Sequence, residues 1–190
     1  MNFLENNKHL QNAFIVASIF GISLFSYNLI NSPDSYTQFW PAAGFVLGYY
    51  IMFGKKSFPA VVVGLTLGHI IPNLLYSTDP IYLRLLLGII LVGADIVFIL
   101  LFKYILSLSN VDNKLTGNGS IMHIIALSLS SFVFAAIVST FNLILLDDID
   151  FLKDLLLHLT GYLGGGFLFG FLLIFSSYYH KEDTIAHIGI

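Results

Sequence analysis

The sequence predicts an all-α, polytopic integral membrane bundle of about six transmembrane helices, forming a single transmembrane domain over residues 1–190. Three observations predict it. Hydrophobic residues make up 57% of the chain and charged residues 10%, where a soluble domain carries about 25% charged residues. Apolar segments near the roughly 20 residues needed to cross about 30 Å of hydrocarbon recur along the chain. The gaps between these segments are short and polar, as expected of helices packed side by side in one bundle.

The segments fall at about 12–30, 37–53, 58–76, 81–106, 120–146 and 152–178. Met1 to Gln11 is polar, and no small-residue cleavage site follows the first span, so that span is read as retained. The second opens on Phe39-Trp40-Pro41 and closes on Gly54-Lys55-Lys56. Proline is tolerated in a helix's first turn, where its missing N–H matters least. Trp40 to Phe53 alone is short, and a full crossing is preferred over a re-entrant one. The third span contains Pro72. The fourth follows Asp79-Pro80, the fifth follows the linker-like loop 108–119, and the sixth follows Asp147-Asp148-Ile149-Asp150.

Lysine and arginine set the orientation. With the N-terminus inside, Lys8, Lys55, Lys56, Lys103, Lys114 and Lys181 are cytoplasmic, and Arg84 and Lys153 are outside. Both termini are therefore expected in the cytoplasm of a plasma (inner) membrane protein. Tyr36, Trp40, Tyr76 and Tyr82 are placed at the outer interface, and Tyr104, Tyr178 and Tyr179 at the inner one, as aromatic belts.

Several function classes drop out. A net charge of −3 leaves no footprint for nucleic acid. The absence of cysteine removes thiolate metal sites and cysteine nucleophiles. No zinc-protease, nucleophile-elbow or phosphate-loop motif is present. No enzyme activity, cofactor or metal is expected.

The polar residues inside the spans are the candidates. Asp95 lies near the middle of the fourth span, where an acid costs roughly 2.5–3.5 kcal/mol on insertion scales. It is expected to face the bundle and have a partner, or to be protonated, which would suit a proton or cation site. His69 and Asn73 stand one turn apart with Pro72 between them, and proline frees a carbonyl. His69, Asn73 and Asp95 are expected to line one cavity; a hydrogen bond that only ties helices together is the competing reading. His123 and His158 lie nearer the two faces without metal-ligand spacing, and read as packing histidines. Asn142 reads as an interhelical hydrogen bond, and Ser128, Ser130, Ser131 and Ser139 as backbone-bonding or packing serines.

Glycines recur as small-xxx-small pairs: Gly44 and Gly48, Gly64 and Gly68, Gly161 and Gly165, Gly166 and Gly170. Such pairs let helices approach closely in lipid. Packing within the chain is the first reading, and a homodimer the second. Gly164-Gly165-Gly166 predicts a bend or close contact. Trp40 and Tyr162 are placed near the mouth of an outward-facing pocket between the second and sixth spans, which Gly165→Leu should fill. A tryptophan anchored in headgroups is the competing reading.

Phe39-Trp40-Pro41-Ala42-Ala43-Gly44, followed by Phe53-Gly54-Lys55-Lys56-Ser57-Phe58-Pro59-Ala60-Val61-Val62-Val63-Gly64, resembles the membrane-associated sensor domain, type one (MASE class). The resemblance covers about residues 36–175. Asp95 falls in the helix where that family often carries an acid. Thr160-Gly161-Tyr162-Leu163-Gly164-Gly165 falls where it often has Gly-Asp-x-x-Gly, so Tyr162 stands in the place of an aspartate. The family usually has eight helices and precedes a cytoplasmic kinase or cyclic-dinucleotide domain; six helices and no such domain are read here. The resemblance implies a sensory module at the bilayer with a cytoplasmic kinase or cyclic-dinucleotide signalling partner. The expected function is to couple a small-molecule or physical cue to that partner, with Trp40, His69, Asn73, Asp95 and Tyr162 as candidate ligand-binding residues. The alternative is a small-molecule transporter or the substrate-binding membrane subunit of an importer.

Overall fold

The computed structural model describes residues 7–30, 40–108, 118–146 and 149–172. Among them are no strands. The helices are α1 (Lys8–Ile30), α2 (Pro41–Phe53), α3 (Phe58–Tyr76), α4 (Ile81–Leu108), α5 (Asn118–Leu145) and α6 (Phe151–Gly165). A short 3-10 turn, Gly54–Ser57, joins α2 to α3, and a π-helical turn, Gly166–Gly170, extends α6. Each helix falls on one of the six expected segments. The expected ends at 37–39 and 173–178, Asp147 and Asp148 of the gap before the sixth span, the loop from Asn110 to Gly117, and the belt residues Tyr36, Tyr178 and Tyr179 lie outside the described residues.

Four stretches are long and apolar enough to cross a membrane: Lys8–Asn28, Pro41–Tyr76, Ile81–Leu108 and Ile121–Leu145. The count differs from six for two reasons. The α6 helix has 15 residues, with Lys153 and Asp154 in its first turn, and the described chain ends at residue 172. The stretch Pro41–Tyr76 is helical with no coil between its halves, so it counts once.

That stretch is nevertheless a hairpin. One straight helix would set Trp40 and His69 about 44 Å apart at 1.5 Å per residue. Their rings instead stack, with centroids 5.4 Å apart and planes 10° from parallel. The reversal begins at Gly54, whose φ of 67° lies in the left-handed region that favours glycine. Its N–H donates to the Tyr50 carbonyl, closing α2. Pro41 starts α2 with no N–H to waste.

α1, α3, α4, α5 and α6 pack against one another in that order, and α2 closes the gap between α6 and α1. Glycines set the spacing. A methyl group at Gly68 would lie 2.6 Å from Ser23 Oγ, and one at Gly64 would lie 3.0 Å from Ile19 Cβ, so α3 rests directly on α1. A methyl at Gly44 would lie 2.6 Å from the Gly170 nitrogen, and one at Gly166 2.5 Å from Leu127 Cδ1. Gly48, Gly161, Gly165 and Gly170 are also buried. These small faces are used within the chain.

The α2 helix is the most enclosed: Pro41, Ala42, Ala43, Gly44, Val46, Leu47, Gly48, Tyr49 and Tyr50 are all buried. A helix apolar all round belongs in an interior. Its Lys55–Lys56 end lies at the same end of the bundle as Lys103, whose Nζ donates to Tyr50 Oη at 3.3 Å. At the far end, Arg84 Nη1 donates to the Leu74 carbonyl at 3.0 Å, and its Nε donates to the Asp79 carbonyl. Arg84 thus satisfies an acceptor in the last turn of α3, where helix carbonyls lack intrahelical partners. Asp150 caps α6 by accepting from the Lys153 N–H at 3.1 Å.

Candidate functional site

The α4 helix is about 42 Å long, and Asp95 sits about 21 Å along it. Its accessible surface is 0%. One carboxylate oxygen, Oδ2, lies 2.6 Å from Nε2 of His69 on α3, and the other, Oδ1, accepts the Tyr162 hydroxyl of α6 at 2.5 Å. The O···O distance lies within the range of charge-assisted bonds, about 2.5–2.7 Å, and the N···O distance is slightly shorter than the range of about 2.7–2.9 Å usual for its kind. Hydrogen bonds to a charged group contribute about 1.5–3 kcal/mol each. Two of them offset the roughly 2.5–3.5 kcal/mol cost of an acid at this depth; one would not do so reliably. The carboxylate therefore fastens three helices together.

Trp40, on the N-terminal side of α2, stacks on His69 and meets Tyr27 of α1 edge to face, with centroids 5.2 Å apart. Its backbone N–H donates to the Gly161 carbonyl at 3.3 Å. Tyr27 Oη donates to Asn73 Oδ1 at 3.4 Å. On the other flank, Tyr162 stacks on Phe134 of α5, centroids 3.5 Å apart, and meets Phe98 edge to face. Asn73, Tyr27, Trp40, His69, Asp95 and Tyr162 thus form one connected chain of contacts.

A cavity of about 160 Å³ adjoins this chain. Every helix contributes to its wall or its edge: Tyr27 from α1, Trp40 beside α2, His69 from α3, Leu91 from α4, Phe134 from α5, and Leu157, His158, Gly161 and Tyr162 from α6. Trp40 Nε1 and His69 Nδ1 are buried with no hydrogen-bond partner among the described residues, and so is Asn73 Nδ2.

Of the five residues singled out from sequence, Trp40, His69 and Tyr162 line the cavity. Asp95 and Asn73 join the chain of contacts without lining the wall, so of the expected lining trio His69, Asn73 and Asp95 only His69 faces the cavity. Trp40 and Tyr162 do share a cavity, but Trp40 is 8% exposed. The outer-interface placement of Trp40 is corrected: α2 starts at the depth of His69, so its first residue is inside the bundle. Gly165 is corrected too. A methyl there would collide with the Trp40 carbonyl oxygen and lie 2.6 Å from its carbon, so a leucine would push α2 away rather than fill the cavity. The glycine run gives close contact followed by the π turn.

Of the other polar residues, Asn142 Nδ2 donates to Asp154 Oδ2 at 3.1 Å, joining α5 to α6. His158 Nε2 lies 3.6 Å from Asp154 Oδ1 and also lines the cavity. His123 packs between Phe102 and Phe171. Ser130, Ser131 and Ser139 are buried without a side-chain hydrogen bond among the described residues, which makes them packing rather than backbone-bonding serines. No three His, Cys, Asp or Glu side chains lie close enough to hold a metal among the described residues.

Against known protein families, residues 9–185 match MASE1. The chain belongs to the MASE1 family. No curated protein and no solved structure matches it. MASE1 is a family of membrane-associated sensory domains, and the apolar helices of this member suit a bilayer. In this MASE1 chain Tyr162 occupies the place where an aspartate was expected from the resemblance. A second carboxylate beside Asp95 would repel it; the tyrosine hydroxyl donates to it instead.

Tyr27, Leu91, Phe134 and Leu157 are wall residues that sequence reasoning did not single out, and His158 was read there only as a packing histidine. Tyr27 had a signal, since Ile15, Ile19, Ser23 and Tyr27 are spaced by four and would share one helical face. His158 stands four residues before Tyr162, on the same face of α6.

Proposed function

We propose that this MASE1 chain is a non-catalytic sensory module that reads a small molecule, or a cue that repacks the same region, in the cavity beside Asp95. In this reading the chain crosses a bacterial plasma membrane six times with both termini in the cytoplasm. Its output passes to a cytoplasmic kinase or cyclic-dinucleotide signalling partner. One observation carries the reading: a single buried carboxylate binds three helices together beside a cavity that all six helices border. Occupying that cavity, or moving any of its walls, alters contacts on several helices at once. A ligand that favours one arrangement by differential affinity then shifts the population of the whole bundle.

The test uses Asp95→Asn, which keeps the shape but removes the charge that both donors serve. The variant should insert and purify like the parent yet lose coupling, read as cellular cyclic-dinucleotide level and as phosphotransfer to a co-purifying kinase. Unchanged output from a folded Asp95→Asn would overturn the sensory role of this site. Stable co-purification with an ATPase module instead of a signalling protein would favour the importer subunit.

A further inference from the structure

We propose that Asp154 and His158, at the edge of the cavity, bind a divalent transition-metal cation of the zinc class. The inference rests on the sensory reading only in that such an ion would be a cue; the site itself stands on separate residues.

Four observations point to it. The first is spacing. Asp154 and His158 are four residues apart on α6, so their side chains lie on one face, one turn apart. The histidines taken alone lack ligand spacing; this carboxylate–histidine pair has it. The second is separation. His158 Nε2 and Asp154 Oδ1 are 3.6 Å apart, too far for a hydrogen bond between them. Two such ligands on one tetrahedral zinc ion, with bonds of about 2.0–2.2 Å, stand about 3.3–3.5 Å from each other. A small closing movement brings the pair onto an ion.

The third is support. Asn142 Nδ2 on α5 donates to the other carboxylate oxygen, Oδ2, at 3.1 Å, which leaves Oδ1 on the side of the imidazole. The His158 ring meets Phe134 of α5 edge to face, with centroids 6.3 Å apart. Outer partners of this kind orient metal ligands. The fourth is access. The His158 and Asp154 side chains keep 20% and 16% of their surface exposed, and His158 lines the cavity. Neither ligand atom has a hydrogen-bond partner among the described residues.

The donor set selects the ion. Imidazole suits zinc, copper and nickel, whereas magnesium and calcium take oxygen ligands. Two protein ligands leave two positions of a tetrahedral ion for water or a small molecule in the cavity. They also make an exchangeable site rather than a structural one, since no third His, Cys, Asp or Glu stands close among the described residues. A dissociation constant of roughly 1–100 µM is expected, far weaker than that of a four-ligand structural site. The ion acts on α6 one turn before Tyr162, the residue that donates to Asp95.

The test is calorimetry on the full chain, free of tag histidines, in phosphatidylcholine nanodiscs at neutral pH. Zinc and magnesium chlorides are the titrants, and empty nanodiscs are the blank. Zinc should bind saturably, and magnesium should give no saturable heat. Asp154→Asn and His158→Gln should each abolish zinc binding with an unchanged circular dichroism spectrum; if one fails to fold, the other decides. Asn142→Ala should weaken zinc by about tenfold or more. His9→Gln, at an exposed position of α1, should leave it unchanged. No saturable zinc heat would overturn the proposal, and so would parental affinity in a folded Asp154→Asn or His158→Gln, which would place the ion elsewhere. Magnesium binding as tightly as zinc would overturn the metal class. Should zinc fail to bind while Asp95→Asn still loses coupling, the metal site falls and the sensory reading stands. Saturable zinc binding lost in Asp154→Asn, with output indifferent to zinc, would keep the site and remove it from signalling.

Discussion

Replacing Gly165 by alanine adds one methyl group at the tightest contact between α6 and the start of α2. The new Cβ would overlap the Trp40 carbonyl oxygen and lie 2.6 Å from the Trp40 carbon and 3.2 Å from the Pro41 nitrogen. All three atoms are backbone, so no side chain can swing aside, and the helices must separate by an ångström or more. Overpacking of this kind costs typically about 1–3 kcal/mol. The Trp40 N–H to Gly161 bond, already 3.3 Å long, is lost with that movement, at about 1 kcal/mol. Alanine returns about 1 kcal/mol through helix propensity. The net loss is about 1–3 kcal/mol, a factor of roughly 5 to 150 in the unfolding equilibrium. Gly93→Ala and Gly21→Ala are the controls. Both glycines are exposed, and a methyl at either meets nothing within 4 Å. They should gain up to about 1 kcal/mol. Equilibrium unfolding of the three variants in mixed micelles, followed by helical circular dichroism, compares them directly. Gly165→Ala as stable as Gly93→Ala would show that α6 does not press on the Trp40–Pro41 peptide.

Tyr162→Phe removes one of the two donors to Asp95 and should destabilise by about 2–3 kcal/mol, because a buried charged acceptor is left half-satisfied. Combined with Asp95→Asn in a double-mutant cycle, it should show coupling above about 0.5 kcal/mol; additive losses would separate the two groups. Trp40 fluorescence should resist acrylamide and headgroup-attached quenchers, and strong quenching at headgroup level would return Trp40 to the interface. Reporter fusions after Asn118 and Ile190 should both read cytoplasmic, and an external signal at Ile190 would defeat the six-crossing arrangement.

The helices were legible because their signals are local. Apolar length, polar gaps and the Gly54-Lys55-Lys56 turn are read within a few residues of where they act. Asp95 was legible for a different reason. An acid in the middle of a long apolar helix has few inexpensive positions, so an inward orientation and a donor on another helix follow from solvation alone. His69 was a candidate by the same reasoning. The placement of Trp40 was not legible. Tryptophan beside proline at the head of an apolar run has the same local signature at an interface as inside a bundle. What decides between them is that α2, with 13 residues, is enclosed by its neighbours and starts level with His69. The partner of Gly165 was hidden for a similar reason. A glycine advertises that something comes close, while only packing says whether that is a ligand or the Trp40 carbonyl.

The short α2 helix has a mechanical consequence. One end is folded back at Gly54 near the lysine-bearing face, and the other carries Trp40 in the cavity wall. Between them lies a rigid arm of about 20 Å. Pivoted at the Gly54 turn, a displacement of about 1 Å at Trp40 becomes a tilt of about 3° over that length. Gly44 presses on the backbone of Gly170 about a third of the way along, so such a tilt could not occur without sliding the π turn beneath it. Any strain imposed on the tryptophan is thereby divided between two outlets, the Lys55–Lys56 loop and the tail of the last helix.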